Sequence, residues 1–203
     1  VGTDIYFAVE SRTGGTWERC EAMLPDPESG TLNRRSWYDE RNYELFFLLA
    51  GLESPRPVGP PSAVISEPRG LPEDLSDETA REFSRFLASG TFGMSWLSAH
   101  DLVAYDWHQP VTNTYFATRP TSMRRRGRRS RMLSDDEVRR HVQQNGVPPV
   151  GWGRAGSSRD GVQVTAVRTP ALLAGEFLEV VHRIESLSPD DPLGARCVFW
   201  FDR

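Results

Sequence analysis

Lysine is absent from this 203-residue chain, and all 24 of its basic side chains are arginine. That absence excludes a Schiff-base lysine and a P-loop lysine at once. It also points to a GC-rich genome, in which arginine codons replace lysine codons, so abundant arginine by itself says little about function. Cysteine is scarce as well. Cys20 and Cys197 lack metal-ligand spacing and fall in stretches that read as strands, which suits buried thiols in a reducing compartment. No apolar run approaches the roughly 20 residues that span a bilayer. The segment Val1-Gly2-Thr3-Asp4-Ile5 has no basic region followed by an apolar one. The expectation is a cytoplasmic chain with no signal peptide and no contact with the membrane. G-x-S-x-G is missing and no cysteine stands near a candidate base, so nucleophilic catalysis has no support in the sequence. No cofactor is predicted.

The rest of the composition is that of a globular protein. A hydrophobic content of 38% over this length suffices for a sizeable core, and residues 1–203 read as one domain. The net charge of −4 argues against a general nucleic-acid coat.

The chain is organised around Trp37-Tyr38-Asp39-Glu40-Arg41-Asn42-Tyr43-Glu44-Leu45-Phe46-Phe47-Leu48-Leu49-Ala50-Gly51. Every residue from Leu45 to Leu49 is apolar, so this helix should be buried on more than one side, Phe47 included. Asp39 is expected to cap its start and Gly51 its end. Trp37, Tyr38, Arg41 and Asn42 then lie at the helix N-terminus, where free N–H groups and the positive end of the dipole favour an anion.

In chain order, Ile5 to Val9 and Trp17 to Cys20 predict a β-hairpin across Gly14-Gly15. Pro25, Pro27 and Gly30 break the chain into a loop, and the proline-rich passages Pro55 to Pro61 and Pro68 to Pro72 read as stiff surface loops. Ser76 caps a helix with Ala80, Phe83, Phe86 and Leu87 on its packing face. Ser95 opens another, from Trp96 to Trp107, with His100 on the apolar stripe. Asn113 to Thr118 predicts a short strand. Ser134 to Glu137 is a capping box, with Leu133 and Val138 spaced as a hydrophobic staple, and that helix should stop near Asn145-Gly146. Val162 to Val167 predicts a strand, and Thr169-Pro170 starts a helix running past Leu173, Phe177, Val181 and Ile184. Cys197 to Phe201 is apolar on both faces and belongs in a sheet interior. These elements predict an α+β fold in which N- and C-terminal strands share one mixed sheet, packed by four to five helices.

Few motifs carry chemistry. Gly151-Trp152-Gly153-Arg154-Ala155-Gly156 matches G-x-G-x-x-G but lacks the preceding strand and following helix of a dinucleotide site, so it reads as a flexible loop. His100, Asp101 and His108 do not have the spacing of a zinc helix, and His100 reads as a core residue. The arginine-rich segment at about 119–132, with six arginines between Arg124 and Arg131, must be exposed or paired with acids. Its lesser reading is a nucleic-acid contact.

Gly2-x-Asp4-Ile5, Arg41-Asn42-Tyr43-x-Leu45-Phe46, Pro68-Arg69-Gly70-Leu71-Pro72-x-Asp74 and Ser95-Trp96-Leu97 together resemble a family of short uncharacterised proteins from actinobacteria and their phages. The resemblance covers about the first half of the chain and implies no activity. It implies a phage setting, in which sequestering a host nucleotide signal as a counter-defence is one role. Members of that family often place histidines just before Ser-Trp-Leu. Here Thr91-Phe92-Gly93-Met94 stands instead, which speaks against a metal by analogy.

The function expected from the residues is binding, without catalysis, of a small anionic ligand, a nucleotide above all. Arg41, Asn42 and Arg69 would meet the charge, and Trp37, Tyr38 or Trp96 would stack on the base. One alternative is an enzyme acting on such a ligand through Asp4, Asp39, Glu40 and Glu44, with or without a divalent ion. The other is an interaction module that uses the arginine-rich segment. Exposed tryptophans and complementary charge also predict a symmetric homodimer.

Overall fold

The computed structural model describes residues 3–25, 32–52, 63–87, 90–119, 133–155 and 161–202. In chain order the elements are β1 (Asp4–Thr13), β2 (Thr16–Cys20), β3 (Ala22–Pro25), β4 (Leu32–Arg35), α1 (Tyr43–Ala50), α2 (Asp77–Phe86), β5 (Phe92–Ser98) and α3 (Ala99–Ala104). There follow β6 (Val111–Thr118), α4 (Asp135–Asn145), β7 (Gly153–Ala155), β8 (Val162–Arg168), α5 (Pro170–Ala174), α6 (Phe177–Ser186) and β9 (Ala195–Asp202). The fold is α+β, with six helices among the described residues. The sequence reads as one domain over 1–203. The chain divides into two compact units: Val1–Leu52, Val64–Asp106 and Ala174–Arg203 form the first, and Glu53–Ala63 with Trp107–Leu173 forms the second.

The first unit holds a four-stranded sheet in the order β2-β1-β9-β5. The terminal strands pair as expected, from Asp4 opposite Asp202 to Ser11 opposite Ala195. All three pairings are antiparallel, which corrects the expectation of a mixed sheet. Gly14 and Gly15, both at positive φ, close the β1–β2 hairpin in the left-handed backbone that a two-residue turn needs.

Period-two alternation gives this sheet two different faces. Phe7, Phe199 and Phe201 point to the side covered by α1, α3 and α6, where Phe7 meets Phe177 edge-on at 5.6 Å and Phe46 meets Phe201 at 4.9 Å. Tyr6, Val198 and Trp200 point to the other side, under Phe83 and Phe86 of α2. Further along, the α2 side turns polar at Glu10, Arg12, Trp17 and Arg196, which are brought together by the Glu10–Arg196 and Arg12–Trp17 cross-strand pairs.

Several local expectations change. The α1 cap is Asn42, whose side-chain oxygen accepts from the Glu44 and Leu45 N–H groups, so Asp39 stays in the lead-in before the helix. Gly51 ends that helix in the left-handed conformation, as expected. Phe47 is partly exposed whereas Phe46 is buried, because α1 lies on the sheet and keeps one open side. Trp96 belongs to β5 and not to a helix. Pairing with β9 carries the strand to Ser98, which then caps α3 in a capping box with Asp101. His100 is exposed on that short helix instead of lying in the core. On α2, Thr79 and Phe83 are buried while Ala80 is exposed, as is Leu87 at the C-cap. The helix expected from Pro170 breaks at Gly175, at a φ of 57°, into α5 and α6. The loop expected after Cys20 contains the β3–β4 hairpin.

The second unit is a three-stranded antiparallel sheet in the order β7-β6-β8 with α4 across it. Val138 and Val142 of α4 pack on Tyr115, Ala117, Val162, Val164 and Ala166. Ser134 and Glu137 form the expected capping box, Leu133 joins the same cluster as Val138, and Gly146 ends the helix. Residues 153–155 of the G-x-G-x-x-G stretch pair with β6 as β7, which replaces the expected flexible loop there with a sheet edge. The arginine run Arg124 to Arg131 lies outside the described residues.

Candidate functional site

The six residues singled out in the sequence fall into two groups. Trp37, Tyr38, Arg41 and Asn42 surround the start of α1, and each has a structural partner. Trp37 is buried, donates its indole N–H to the Cys20 carbonyl at 2.8 Å, and carries the Arg183 guanidinium 4.5 Å from its ring centroid. Tyr38 is buried edge-on against Phe7 and Phe177. Burial, with the Glu40 carboxylate adding to it, pushes its phenol pKa up. Arg41 is exposed and grips Asp4 with two hydrogen bonds, one of 2.9 Å from Nη2. Asn42 is the helix cap.

Arg69 and Trp96 come together elsewhere, in a cleft of about 490 Å³ on the α2 side of the first sheet. Arg12, Trp17, Leu71, Pro72, Glu73, Asp74, Ser98, Leu193 and Arg196 complete its lining. Arg69 lies 4.8 Å from the Trp96 ring centroid, and Arg196 lies 5.9 Å from the same ring and 3.9 Å from Trp17. Arg12 lies 4.7 Å from Trp17 on the opposite flank of the series. The result is an alternating ladder of three guanidiniums and two indoles, in the order Arg12, Trp17, Arg196, Trp96 and Arg69. Each contact pairs a cation with the negative face of an aromatic ring.

Acids anchor most of this ladder. Arg196, 2% exposed, donates to Glu10 through Nε at 2.8 Å, to the Asp74 carboxylate through Nη1 at 2.7 Å and to the Asp74 carbonyl through Nη2 at 2.9 Å. Glu10 is fully buried and also accepts from the Ser76 hydroxyl and N–H, which ties the sheet to the α2 cap. Asp74 accepts the Trp17 indole N–H at 2.8 Å. The Arg196 hydrogen bond holds its carboxyl below the usual range, outweighing burial, and Trp17 adds to the effect. Arg69 donates to both oxygens of Asp101, at 2.7 and 2.9 Å. Burial would raise the Asp101 pKa, but hydrogen bonds from Arg69 and from the Ser98 hydroxyl and N–H prevail and bring it down to about 2.

Arg12 differs from the other two arginines. Its guanidinium is exposed, and its side chain makes no ion pair or hydrogen bond among the described residues; its ring contact with Trp17 is its one anchor. The cleft therefore offers an uncommitted cation at one end, the Glu73 carboxylate on its wall, and the apolar surfaces of Leu71, Pro72 and Leu193 between.

Of the carboxylates weighed for catalysis, Asp4 is held by Arg41, Glu44 stands in the first turn of α1, and Asp39 and Glu40 are exposed in the lead-in. Asp101, weighed as a metal ligand, is committed to Arg69 and to the α3 cap. Sequence reading missed Glu10, Arg12, Trp17, Asp74 and Arg196. The one available signal was Arg196, a charge placed in an otherwise apolar strand that has both faces buried. No protein-family model, curated protein or solved structure matches this chain.

Proposed function

We propose that the ladder cleft binds a small anionic ligand with a planar ring, a nucleotide, and holds it without converting it. The observation that carries this reading is Arg12: a guanidinium with no acid partner among the described residues, positioned by an indole in the lining of a cleft whose volume suits a mononucleotide. A phosphate takes the bidentate donors of Arg12. Glu73, a carboxylate of the same lining, accepts N–H groups from the edge of a base lying on Leu71 and Pro72. In the phage setting that the sequence motifs resemble, such a binder sequesters a nucleotide signal.

Thermal-shift measurements with mono-, di- and cyclic nucleotides test the reading, and at least one is expected to raise the melting temperature. No shift at millimolar concentration with any of them defeats it. Arg12→Ala removes a charge-assisted contact of about 1.5–3 kcal/mol and should weaken that ligand about tenfold or more, with the unliganded melting temperature unchanged. Ligand recovered intact after the protein is denatured distinguishes holding from conversion.

A further inference from the structure

Strand β1 extends beyond its neighbour. β2 pairs with it only from Val9 to Thr13, whereas β9 pairs with it from Asp4 to Ser11. From Asp4 to Ala8, one side of β1 therefore meets no strand among the described residues. Hydrogen-bonding direction alternates along an antiparallel strand. The two-residue Gly14-Gly15 turn makes Thr13 and Thr16 a bonded pair, so Thr13, Ser11 and Val9 bond towards β2. The Arg12 N–H points the other way, to the Gly194 carbonyl at 2.7 Å. Continuing the alternation, Phe7 and Ile5 each turn an N–H and a C=O to the open side, where no described residue meets them.

A second cleft, of about 500 Å³, lies along this stretch. Ile5, Tyr6 and Phe7 belong to one wall, and Ala22, Ser36 and Trp37 to the other, where β2 ends at Cys20 and the chain turns into β3. The bond from the Trp37 indole to the Cys20 carbonyl braces that fork. The charge is one-sided. Asp39, Glu21 and Glu82 line the cleft, and its one described cation, Arg19, is paired with Glu82. Asp39 is exposed and makes no ion pair among the described residues.

We propose that this open edge of β1 accepts an extended, basic segment of a partner protein as an added strand. Its main chain bonds to Ile5 and Phe7, and one of its arginines or lysines meets Asp39. Unpaired edge amides template strand addition, and the acidic lining selects the sign of the side chains. This site is separate from the ladder cleft and does not rest on the nucleotide reading.

The probe is an acetylated peptide of alternating arginine and valine, about ten residues long so that it covers the strand. It is added to the full chain and followed by fluorescence anisotropy and by amide hydrogen exchange. The expected result is saturable binding with slowed exchange at Ile5 and Phe7. No binding, or binding that leaves those two amides exchanging at their free rate, overturns the proposal. Alternating arginine and proline keeps the charge but removes alternate main-chain donors, and alternating glutamate and valine reverses the charge. Both should bind at least about tenfold more weakly, and equal binding by either overturns the proposal. Asp39→Arg, an exposed change that leaves the fold intact, should weaken the arginine–valine peptide by a similar factor, and unchanged affinity counts against it. Protection of Ile5 and Phe7 that rises with protein concentration alone replaces the peptide with a second copy of the chain.

Discussion

At the residue scale, the arginines divide by what each is paired with. Arg196 is buried with Glu10, so removing it strands a carboxylate that has no access to water. Arg196→Met should cost about 3–5 kcal/mol, read from urea unfolding. Arg41, on the surface with Asp4, should shift the melting temperature far less when changed to alanine, because water takes over both charges. Asp101 supplies the pH test. Its folded pKa of about 2 lies below its ordinary value of 3.8, so its contribution to stability is complete above 3.8 and is lost as pH falls towards 2. A carboxyl carbon NMR titration should find the midpoint near 2 in the parent protein and closer to 3.8 in Arg69→Ala, with Ser98 retaining part of the depression.

At the element scale, α1 shows how helix burial is decided by packing more than by apolarity. Leu45 to Leu49 is apolar throughout, yet Phe46 lies on Phe201 at 4.9 Å while Phe47 keeps an open side. Phe46→Ala should destabilise the protein by about 3–5 kcal/mol, and Phe47→Ala by clearly less in the same urea titration. The cap was legible as a position near residue 40, but choosing Asn42 over Asp39 required the path of the lead-in. Asp39, which follows the buried Trp37 and Tyr38, lies three residues before Asn42, too early to reach the first free N–H groups. A similar contest decided Trp96. Its helical spacing with His100 was real, but main-chain pairing with β9 favours a strand, and the helix waits for Ser98.

At the scale of the whole molecule, the last strand of the chain is a middle strand of the sheet, between β1 and β5. The first unit therefore cannot complete its core until residues 195–202 are made, and its pairing closes a loop of nearly the full chain length. A chain ending at Gly194 should show no cooperative unfolding of this unit by circular dichroism or calorimetry. The lost strand carries Cys197, Phe199, Trp200 and Phe201, all fully buried, and Arg196 with them. The ladder cleft would vanish in the same truncation, because Arg196 is its central rung.

The sequence by itself determined the elements whose signals are local. The Gly-Gly hairpin, the Ser76 cap, the capping box before α4, the Gly51 stop and the apolar run Cys197 to Phe201 of the last strand each depend on a few neighbouring residues and on backbone geometry. It also led to the expectation that the two ends share a sheet, from strands at both ends of the chain with helices between them. Only the tertiary structure decided which charges meet. Arg69 lies 32 positions from Asp101, and Glu10 lies 186 positions from Arg196. No spacing rule links residues so far apart, because their proximity comes from strand order and register, which set whole faces against one another. Arg12, Trp17, Arg196 and Trp96 sit on four different strands, and only pairing in the order β2-β1-β9-β5 aligns them into a ladder.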